Sequence, residues 1–324
     1  MRVESRHGPS AIRLPVDLSV IVCTYNRCRL LDGSLQALAG QVAPESLSWE
    51  VVVVDNNCTD ATASIVQQAQ TKFSVPLRRV VEKKQGLSNA RNCGITATRG
   101  RYLVFTDDDI RPSPDWVEAI WQTFKQEHCD GVAGPVELDW PLARPTWLID
   151  ELLSSLAYAN YGPVMRALTV NHEPPLGANM AFARTVFNRV GNFDPTLGRI
   201  GKKLLGGEET ELFDRILRAG FKVLYQPRAV VHHAVEPERV RKGYFRKLYY
   251  YGGQVHGRRD DMKHVRCLFG IPLFGIRQLF FSGCKFLADA WRDEIDLAFK
   301  QELNVWWYWG FLTGCYMTRQ SQTR

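Results

Sequence analysis

The chain has 324 residues, of which 45% are hydrophobic and 23% are charged, as in an ordinary globular protein. This length suits one large domain with an appendage, or two domains. None of the eight cysteines pairs at CxxC spacing, which argues against a structural zinc site or a redox motif. The first 15 residues are polar and lack the apolar run of a secretory signal, so we expect a cytoplasmic protein.

The net charge of +7 is unevenly distributed along the chain. Residues 1–240 carry 27 basic and 27 acidic side chains, whereas residues 241–324 carry 14 and 7. The same last quarter contains the longest uncharged run, 303–318, which is short for a membrane span. Basic, apolar and aromatic residues together favour peripheral docking on the anionic cytoplasmic face of the inner or plasma membrane, and not nucleic-acid binding. Packing on the rest of the chain or on a second subunit is the alternative.

In chain order, the first part of the sequence alternates short apolar runs, typical of buried strands, with segments of helical periodicity. The predicted strands are 18–23, 50–54, 77–81 and 102–105. Helices are predicted between them, and Ser88 is the expected N-cap of the one that precedes the last strand. This alternation predicts a doubly wound, mostly parallel α/β sheet with helices on both faces.

The second part of the sequence is less regular. Short strands are predicted at 132–134, 222–225 and 229–231, with a helix after residue 207. From residue 243 onward the α/β rhythm stops, and an aromatic-faced helix and further apolar helical segments follow. We therefore expect a polar extension at 1–17, an α/β domain at 18–240, and a helical, membrane-associating region at 241–324.

Three consecutive carboxylates, Asp107, Asp108 and Asp109, follow the strand predicted at 102–105. Like charges this close repel one another, and a divalent cation such as Mg²⁺ or Mn²⁺ would offset the repulsion. Ligands of open α/β sheets bind beyond the carboxyl ends of the strands, so the pattern predicts a metal-bound nucleotide diphosphate here. A solvated acidic turn that caps the next helix is the alternative. The sequence has neither GxGxxG after the first strand nor GxxxxGK[ST], which argues against dinucleotide-binding and P-loop enzymes.

Five separated stretches resemble, in the same order, the motifs of the family 2 glycosyltransferases of GT-A fold. They are residues 19–27, 53–60, 86–94, 105–109 and 207–212. The resemblance covers about residues 18–250. It implies a Rossmann-like GT-A domain and an inverting, hexosyltransferase-like transfer from a UDP- or GDP-sugar to an acceptor hydroxyl, with Mg²⁺ or Mn²⁺ as cofactor. Polysaccharide or lipid-linked glycan synthesis is the implied setting. The cation would offset the charge that develops on the leaving diphosphate.

The resemblance also implies roles for individual acidic and basic side chains. In the DxD pattern, Asp109 would ligate the metal and Asp107 would contact the nucleotide, whereas Asp108 occupies the variable middle position. Asp55 follows the second predicted strand and is expected to reach the base or ribose; a turn-forming role is its alternative. Arg91 matches the family's basic residue beside the diphosphate, and a surface helix arginine is its alternative.

The remaining site residues follow from the first turn and from a later helix. Thr24 and Tyr25 lie where the family packs the base. An inverting transfer needs a general base on the face opposite the leaving group, and the family supplies it from a Glu-Asp pair. This sequence has Glu208 and Glu209 there, so Glu stands where Asp is usual. We expect Glu209 to be the base, with Glu208 second, although a structural first-turn Glu would fit the same helix position.

His232 and His233 follow a late predicted strand, where family members often place a histidine near the metal or diphosphate. We expect one of them, His232, to ligate the metal. Two other functions remain open. A nucleotidyltransferase of similar fold would need a glycine-rich first turn, which this sequence lacks. A non-enzymatic membrane- or nucleic-acid-binding module would leave the neutral first 240 residues unexplained.

Overall fold

A computed structural model of the chain describes residues 16–140, 143–169, 175–201, 206–259, 266–268 and 271–322. The polar extension predicted at 1–17 lies outside these residues, apart from Val16 and Asp17. Within the described ranges, no helix combines the length and the hydropathy that a membrane crossing needs.

The strands belong to one large sheet and two small ones. In chain order they are β1 (Leu18–Thr24), β2 (Trp49–Asp55), β3 (Leu77–Val81), β4 (Tyr102–Asp107), β5 (Ile110–Pro112), β6 (Gly131–Ala133), β7 (Val136–Asp139), β8 (Arg166–Ala167), β9 (Met180–Ala183), β10 (Val223–Tyr225), β11 (Val231–Ala234), β12 (Cys267–Leu268) and β13 (Ile271–Pro272). The large sheet has the order β3-β2-β1-β4-β9-β6-β10-β8. Its strands run parallel except for β9 and β8, which pair antiparallel with their neighbours.

The helices follow the strands much as the sequence predicts. They are α1 (Cys28–Ala39), α2 (Thr62–Ala69), α3 (Leu87–Ala97), α4 (Trp116–Gln126), α5 (Arg184–Val190), α6 (Glu208–Arg218), α7 (Lys242–Arg259), α8 (Leu273–Trp291) and α9 (Ile295–Gln322), with 3₁₀ turns at Gln70–Lys72 and Asp150–Leu156. The N-cap of α3 is Gly86, at φ +138°, and not Ser88 as expected. Ser88 Oγ instead donates a hydrogen bond to the backbone oxygen of Leu197, 2.7 Å away.

The large sheet is buried on both faces, which is why its strands are continuous apolar runs. Successive side chains of a strand point to opposite faces. In β1, Val20 and Val22 join the core under α1, α2 and α4, whereas Ile21 and Cys23 join the core under α3, α5 and α6. The expected α/β fold, with a mostly parallel sheet between two helical layers and a helical C-terminal region, is confirmed.

A small sheet of order β5-β11-β7 begins where β4 ends. The three carboxylates of 107–109 form the connection between the two sheets, since β4 ends at Asp107 and β5 begins at Ile110. The backbone N–H of Ala234, at the end of β11, donates to the backbone oxygen of Asp109 at 2.9 Å. This pairing fixes the acidic turn beside β11.

The C-terminal helices α7 and α9 run parallel to each other at very close range. A Cβ added to Gly253 or Gly257 of α7 would overlap the backbone of α9, and one added to Gly310 or Gly314 of α9 would overlap the backbone of α7. Both helices therefore carry two glycines four residues apart at their contact, an arrangement that lets helix backbones approach closely. α8 lies between them in the chain and runs back along α9, where Phe274 contacts Phe311.

The near ends of α7 and α9 pack on the α/β part of the chain. Phe245 and Phe299 share a buried apolar cluster with Leu148, Leu152 and Leu156 of the segment that follows β7. Arg246 Nε of α7 also donates to Glu302 Oε1 of α9, 2.5 Å away. In this part of the C-terminal region the apolar side chains therefore pack on the rest of the chain, which is the alternative to membrane contact.

The close contact of α7 with α9 makes a prediction about Gly253. We expect Gly253→Ala to lower the free energy of unfolding by about 1–3 kcal/mol, because the added methyl group forces two helix backbones apart. Gly283→Ala in α8 is the matched control, since nothing lies within 4 Å of its Cβ position. It should be neutral or stabilise by about 0.5–1 kcal/mol through helix propensity alone. Urea titrations followed by circular dichroism measure both changes, and equal stability of the two variants would contradict this packing.

Candidate active site

A cavity of about 430 Å³ lies at the carboxyl ends of the central parallel strands. Its wall comprises the turns that follow β1 and β2, the start of α3, the acidic turn after β4, the start of α6, and the segment between β11 and α7. This size is in the range of small-molecule sites. The cavity also lies at the edge of the sheet where ligands of open α/β folds bind.

Asp108 anchors the acidic turn to the first strand and helix. It accepts hydrogen bonds from Thr24 Oγ1 at 2.8 Å and from Arg27 Nη1 at 2.7 Å, and its backbone oxygen accepts one from Ser34 Oγ at 2.7 Å. Burial raises the pKa of Asp108 to about 7, against the opposing charge of Arg27, and the neighbouring Asp109 adds to the rise. The variable middle position of the DxD pattern is thus a structural link in this chain.

Asp109 is a buried carboxylate surrounded by cationic groups. Its Oδ2 atom accepts hydrogen bonds from Arg27 Nη2 at 2.9 Å and from Arg239 Nη2 at 3.0 Å, and it lies 3.1 Å from His233 Nε2. Burial alone would raise its pKa, but His233 and the two guanidinium groups hold the pKa well below the usual value. Asp109 is therefore an ionised oxygen donor at the cavity wall.

The histidine beside this carboxylate is His233, which corrects the expectation for His232. β11 alternates, so His233 points inward and is buried, whereas His232 is exposed, with Nε2 3.5 Å from Ser113 Oγ. His233 Nδ1 donates to the backbone oxygen of Leu156 at 2.8 Å. When Nε2 carries a proton it donates to Asp109 Oδ2, and when it does not it accepts from Arg239 Nη1, 2.9 Å away.

Asp109 Oδ2 and His233 Nε2 are the pair of atoms that best fits a divalent cation. Oxygen and imidazole donors suit Mn²⁺, and Mg²⁺ commonly binds one or two protein ligands with phosphates and water. Arg239 presently bridges both atoms, since its Nη1 lies 2.9 Å from His233 Nε2 and its Nη2 lies 3.0 Å from Asp109 Oδ2. The described residues contain no cluster of three or more His, Cys, Asp or Glu that could hold a metal without substrate.

Arg91 connects the acidic turn to the start of α6. The side chain is buried, Nη1 donates to Glu208 Oε1 at 2.8 Å, and Nη2 lies 3.4 Å from Asp107 Oδ1. Any side chain at Gly177 would overlap the guanidinium, so the glycine leaves the space that Arg91 fills. The arginine is thus a part of the cavity wall and not a surface helix residue.

Glu209 lines the same cavity one residue further along α6. Its Oε2 atom is buried and finds no hydrogen-bond partner among the described residues. Burial, together with the charge of Glu208, raises the pKa of Glu209 to about 8. A carboxyl group with a pKa near the working pH is suited to accept a proton, because it is available as a base yet basic enough to take one.

The structure brings most of the site residues predicted from the sequence to this cavity. Those that line it are Thr24, Tyr25, Arg91, Asp107, Asp109, Glu208 and Glu209. Asp55 is buried behind the wall, where Arg79 Nη1 donates to it at 2.6 Å and the Cys58 N–H at 2.7 Å. The neighbouring Asn56 lines the cavity in its place.

The lining residues without a role in the sequence-based prediction include Arg27, Glu236 and Arg239. Arg27 lies within the first motif, so its position there is a signal that it belongs to the site. Glu236 accepts from Arg27 Nη2 at 2.6 Å and pairs with Arg239 Nε at 3.2 Å. No motif marks these two residues, since only the pairing of β11 with the rest of the sheet brings them to the acidic turn.

Comparisons with known proteins indicate the same family as the sequence motifs. The model of glycosyl transferase family 2 matches residues 19–187. The succinoglycan biosynthesis protein ExoM of Rhizobium meliloti (strain 1021) is 28% identical over 266 residues, which cover 81% of this chain and 82% of that protein. A glucosyl-dolichyl phosphate glucuronosyltransferase of Haloferax volcanii is 29% identical over 223 residues, or 67% of this chain and 68% of that protein.

A solved structure has the same fold over nearly the whole chain. The mannosyltransferase PcManGT from Pyrobaculum calidifontis, in complex with GDP-Man and Mn²⁺, superposes with a TM-score of 0.60 at 18% identity and covers 98% of this chain and 92% of its own. The chain belongs to glycosyl transferase family 2. It is a glycosyltransferase of GT-A fold, and the nucleotidyltransferase and non-enzymatic alternatives find no support.

The buried pair of Arg91 and Glu208 makes a prediction about stability. Arg91→Met should lower the free energy of unfolding by about 3–5 kcal/mol, because it leaves a buried carboxylate without its partner. The double variant with Glu208→Gln should recover part of this loss. Arg228→Met is the matched control, since the ion pair of Arg228 with Asp115 is exposed and worth about 1 kcal/mol or less. Urea titrations measure all three variants; an Arg91→Met cost no larger than that of the control would contradict the buried pair.

Proposed function

We propose that this protein is an inverting, metal-dependent transferase that moves a sugar from a UDP- or GDP-sugar to a hydroxyl of a glycan or lipid-linked acceptor. One observation carries the proposal. A single cavity holds the Asp109–His233 pair on one side and the Glu208–Glu209 pair on the other, and Arg91 bridges the two sides. A cation-binding group and a proton acceptor are the two functions that such a transfer requires.

The donor half of the site is assigned to five residues. Asp109 and His233 would hold the cation, Asp107 and Arg91 would contact the nucleotide diphosphate, and Tyr25, at 38% exposure, would pack against the base. A bound cation would offset the negative charge that develops on the leaving diphosphate. The neighbour PcManGT, solved with GDP-Man and Mn²⁺, supports this assignment. Thr24 contributes through Asp108, and contact of Asp55 with the base or ribose remains a prediction.

The acceptor half of the site is assigned to the start of α6. Glu209 would accept the proton of the acceptor hydroxyl as that oxygen attacks the sugar from the face opposite the leaving group. Glu208 is engaged by Arg91 and is therefore better suited to position the helix end than to move a proton. Glu209 retains the first place in this assignment and Glu208 the second.

The names of two relatives support a proposal for the acceptor class. One is named for succinoglycan biosynthesis, and another for glucuronosyl transfer to a glucosyl-dolichyl phosphate. We propose polysaccharide or lipid-linked glycan synthesis for this chain as well. A lipid-linked acceptor would require peripheral contact with the cytoplasmic face of a membrane, which is the location that the basic last quarter of the chain favours.

The metal assignment is tested with Asp109→Asn. A neutral amide is a poorer ligand for a hard dication, so this variant should lose Mn²⁺-dependent binding of UDP and GDP in calorimetric titrations. Arg239→Ala is the contrasting variant. Its guanidinium bridges the two donor atoms, so its removal should let Mn²⁺ alone bind more tightly. Nucleotide binding by Asp109→Asn with unchanged Mn²⁺ dependence would refute the assignment.

The base assignment is tested with Glu209→Gln. This variant should bind the donor normally and lose transfer by about 10²–10⁴-fold, the usual contribution of a positioned general base. Glu211→Gln is the matched control, because Glu211 lies on the same turn of α6 and pairs with Arg215. Its transfer rate should stay near that of the unmodified protein. Normal turnover by Glu209→Gln would move the role to Glu208 or to another carboxylate.

The raised pKa of Glu209 predicts the pH dependence of transfer. A base must be deprotonated, so kcat/KM should fall as the pH decreases through about 8, the pKa to which burial and Glu208 raise this carboxyl. The residual activity of Glu209→Gln should lack this step. Initial rates measured across the pH range with saturating metal test the expectation, and a step that persists in the variant would assign it to another group.

A further inference from the structure

Helix α8 differs from an ordinary surface helix in which of its side chains are buried. Its buried positions are Gly275, Ser282 and Asp289, which recur every seven residues and form one narrow stripe of small and polar side chains. Gly275 packs on α9, where a Cβ would meet the Leu312 and Phe311 side chains. A helix that packs on a core normally buries its large apolar residues. On α8 the fully buried positions are small or polar, Leu279 and Phe286 beside them are half-buried, and the Phe274 ring lies against Phe311 of α9.

The large apolar residues of α8 face outward instead. Leu273, Ile276, Phe280, Leu287 and Trp291 follow one another at steps of three, four or seven residues, so they share one face of the helix. Their exposed fractions are 44%, 40%, 67%, 66% and 91%. Contiguous exposed apolar surface of this extent marks an interaction site.

The charges along α8 indicate what covers this face. Arg277, Lys285 and Arg292 are exposed and flank it, and the Arg277 guanidinium lies 6.0 Å from the Phe281 ring centroid. Of the acidic side chains, Asp289 is in the buried stripe, whereas Asp293 and Glu294 lie in the turn to α9 and Asp296 in its first turn, beyond the end of the apolar face. An apolar face with cationic flanks and a terminal tryptophan is complementary to an anionic lipid surface, because lipid phosphates pair with the cations while the acyl chains accept the rings.

We propose that α8 lies in the interface of an anionic bilayer, with the face of Leu273, Phe280, Leu287 and Trp291 inserted below the headgroups. The proposal rests on the proposed function, since the bilayer would present the lipid-linked acceptor. Lipid can reach one side of α8 only, because the Gly275–Asp289 stripe packs on the protein. A helix that lies flat in the interface satisfies this constraint.

The position of α8 in the fold links the bilayer to the cavity. α7 begins beside the cavity, where Tyr244 is part of the wall, and Phe245 fixes α7 and α9 to the cluster around Leu152 and Leu156. α8 runs back along α9, the second helix of this fixed pair. A bilayer on the outer face of α8 therefore has a set position relative to Glu209, instead of a position that varies with a linker.

The test is co-sedimentation of the full chain with vesicles of phosphatidylcholine, with and without phosphatidylserine. Phe280→Ser/Leu287→Ser/Trp291→Ser should reduce binding to the anionic vesicles about tenfold or more. Arg277→Gln/Lys285→Gln should remove the part of the binding that high salt weakens. Val42→Ser/Val164→Ser is the matched control, because these valines are 63% and 68% exposed on other parts of the chain; its binding should not change.

Two further measurements separate this proposal from the proposed function and from self-association. Mn²⁺-dependent UDP or GDP binding reports on the site and should be unchanged in the triple variant, so failure of the site and failure of the docking surface are distinguishable. Light scattering reports the mass in solution. The proposal is overturned if the unmodified chain ignores anionic vesicles or the triple variant binds them equally well. It is also overturned if the triple variant dissociates a dimer and leaves vesicle binding unchanged, which would assign the face to a second copy.

Discussion

A buried carboxylate cannot remain ionised without positive charge around it, and Asp109 imposes that constraint on three elements of the chain. Arg27 comes from the turn after β1, His233 from β11, and Arg239 from the segment that leads into α7. Arg27 is far from the other two in sequence, and each element contributes a partner to one oxygen atom. The parallel sheet, the small sheet and the entry to the C-terminal helices are thereby held around one charge. A divalent cation carries the same charge as the two guanidinium groups beside Asp109, so it could replace them without a change in the net charge of the site.

The second centre of the cavity is organised around a positively charged side chain instead. Arg91 is buried between Glu208 and Asp107, so it fixes the distance between the acidic turn and α6. The two centres divide the work that a sugar transfer requires. One side is arranged to receive a diphosphate and its metal, and the other presents Glu209, an acid weak enough to exchange protons near neutral pH.

Features of this arrangement that depend on neighbouring residues can be predicted from the sequence. Features that depend on which distant segments pair with each other cannot. The runs at 18–23, 50–54 and 102–105 are apolar throughout because both faces of those strands are buried, so their identity as parallel strands can be read directly. His233 was not distinguished from His232, because the register of β11 determines which histidine points inward. Arg239 carries no local signal at all. The sequence predicts membrane contact for the basic, apolar last quarter as a whole, but it does not show which face of α8 is exposed, because that depends on how α8 packs on α9.

The parallel contact of α7 with α9 has a consequence for how this chain assembles. Parallel neighbours cannot form a hairpin, and Gly253 meets its partner backbone only after more than fifty further residues, at Trp307, have been made. The glycine-lined side of α7 thus stays bare through most of the synthesis of the C-terminal region. The cluster around Phe245, next to the cavity, also forms only after α9 has been made, because its member Phe299 belongs to α9. The packing around Phe245, next to the cavity, is therefore completed late, and a nascent chain stopped within α8 would present two uncovered helices at once.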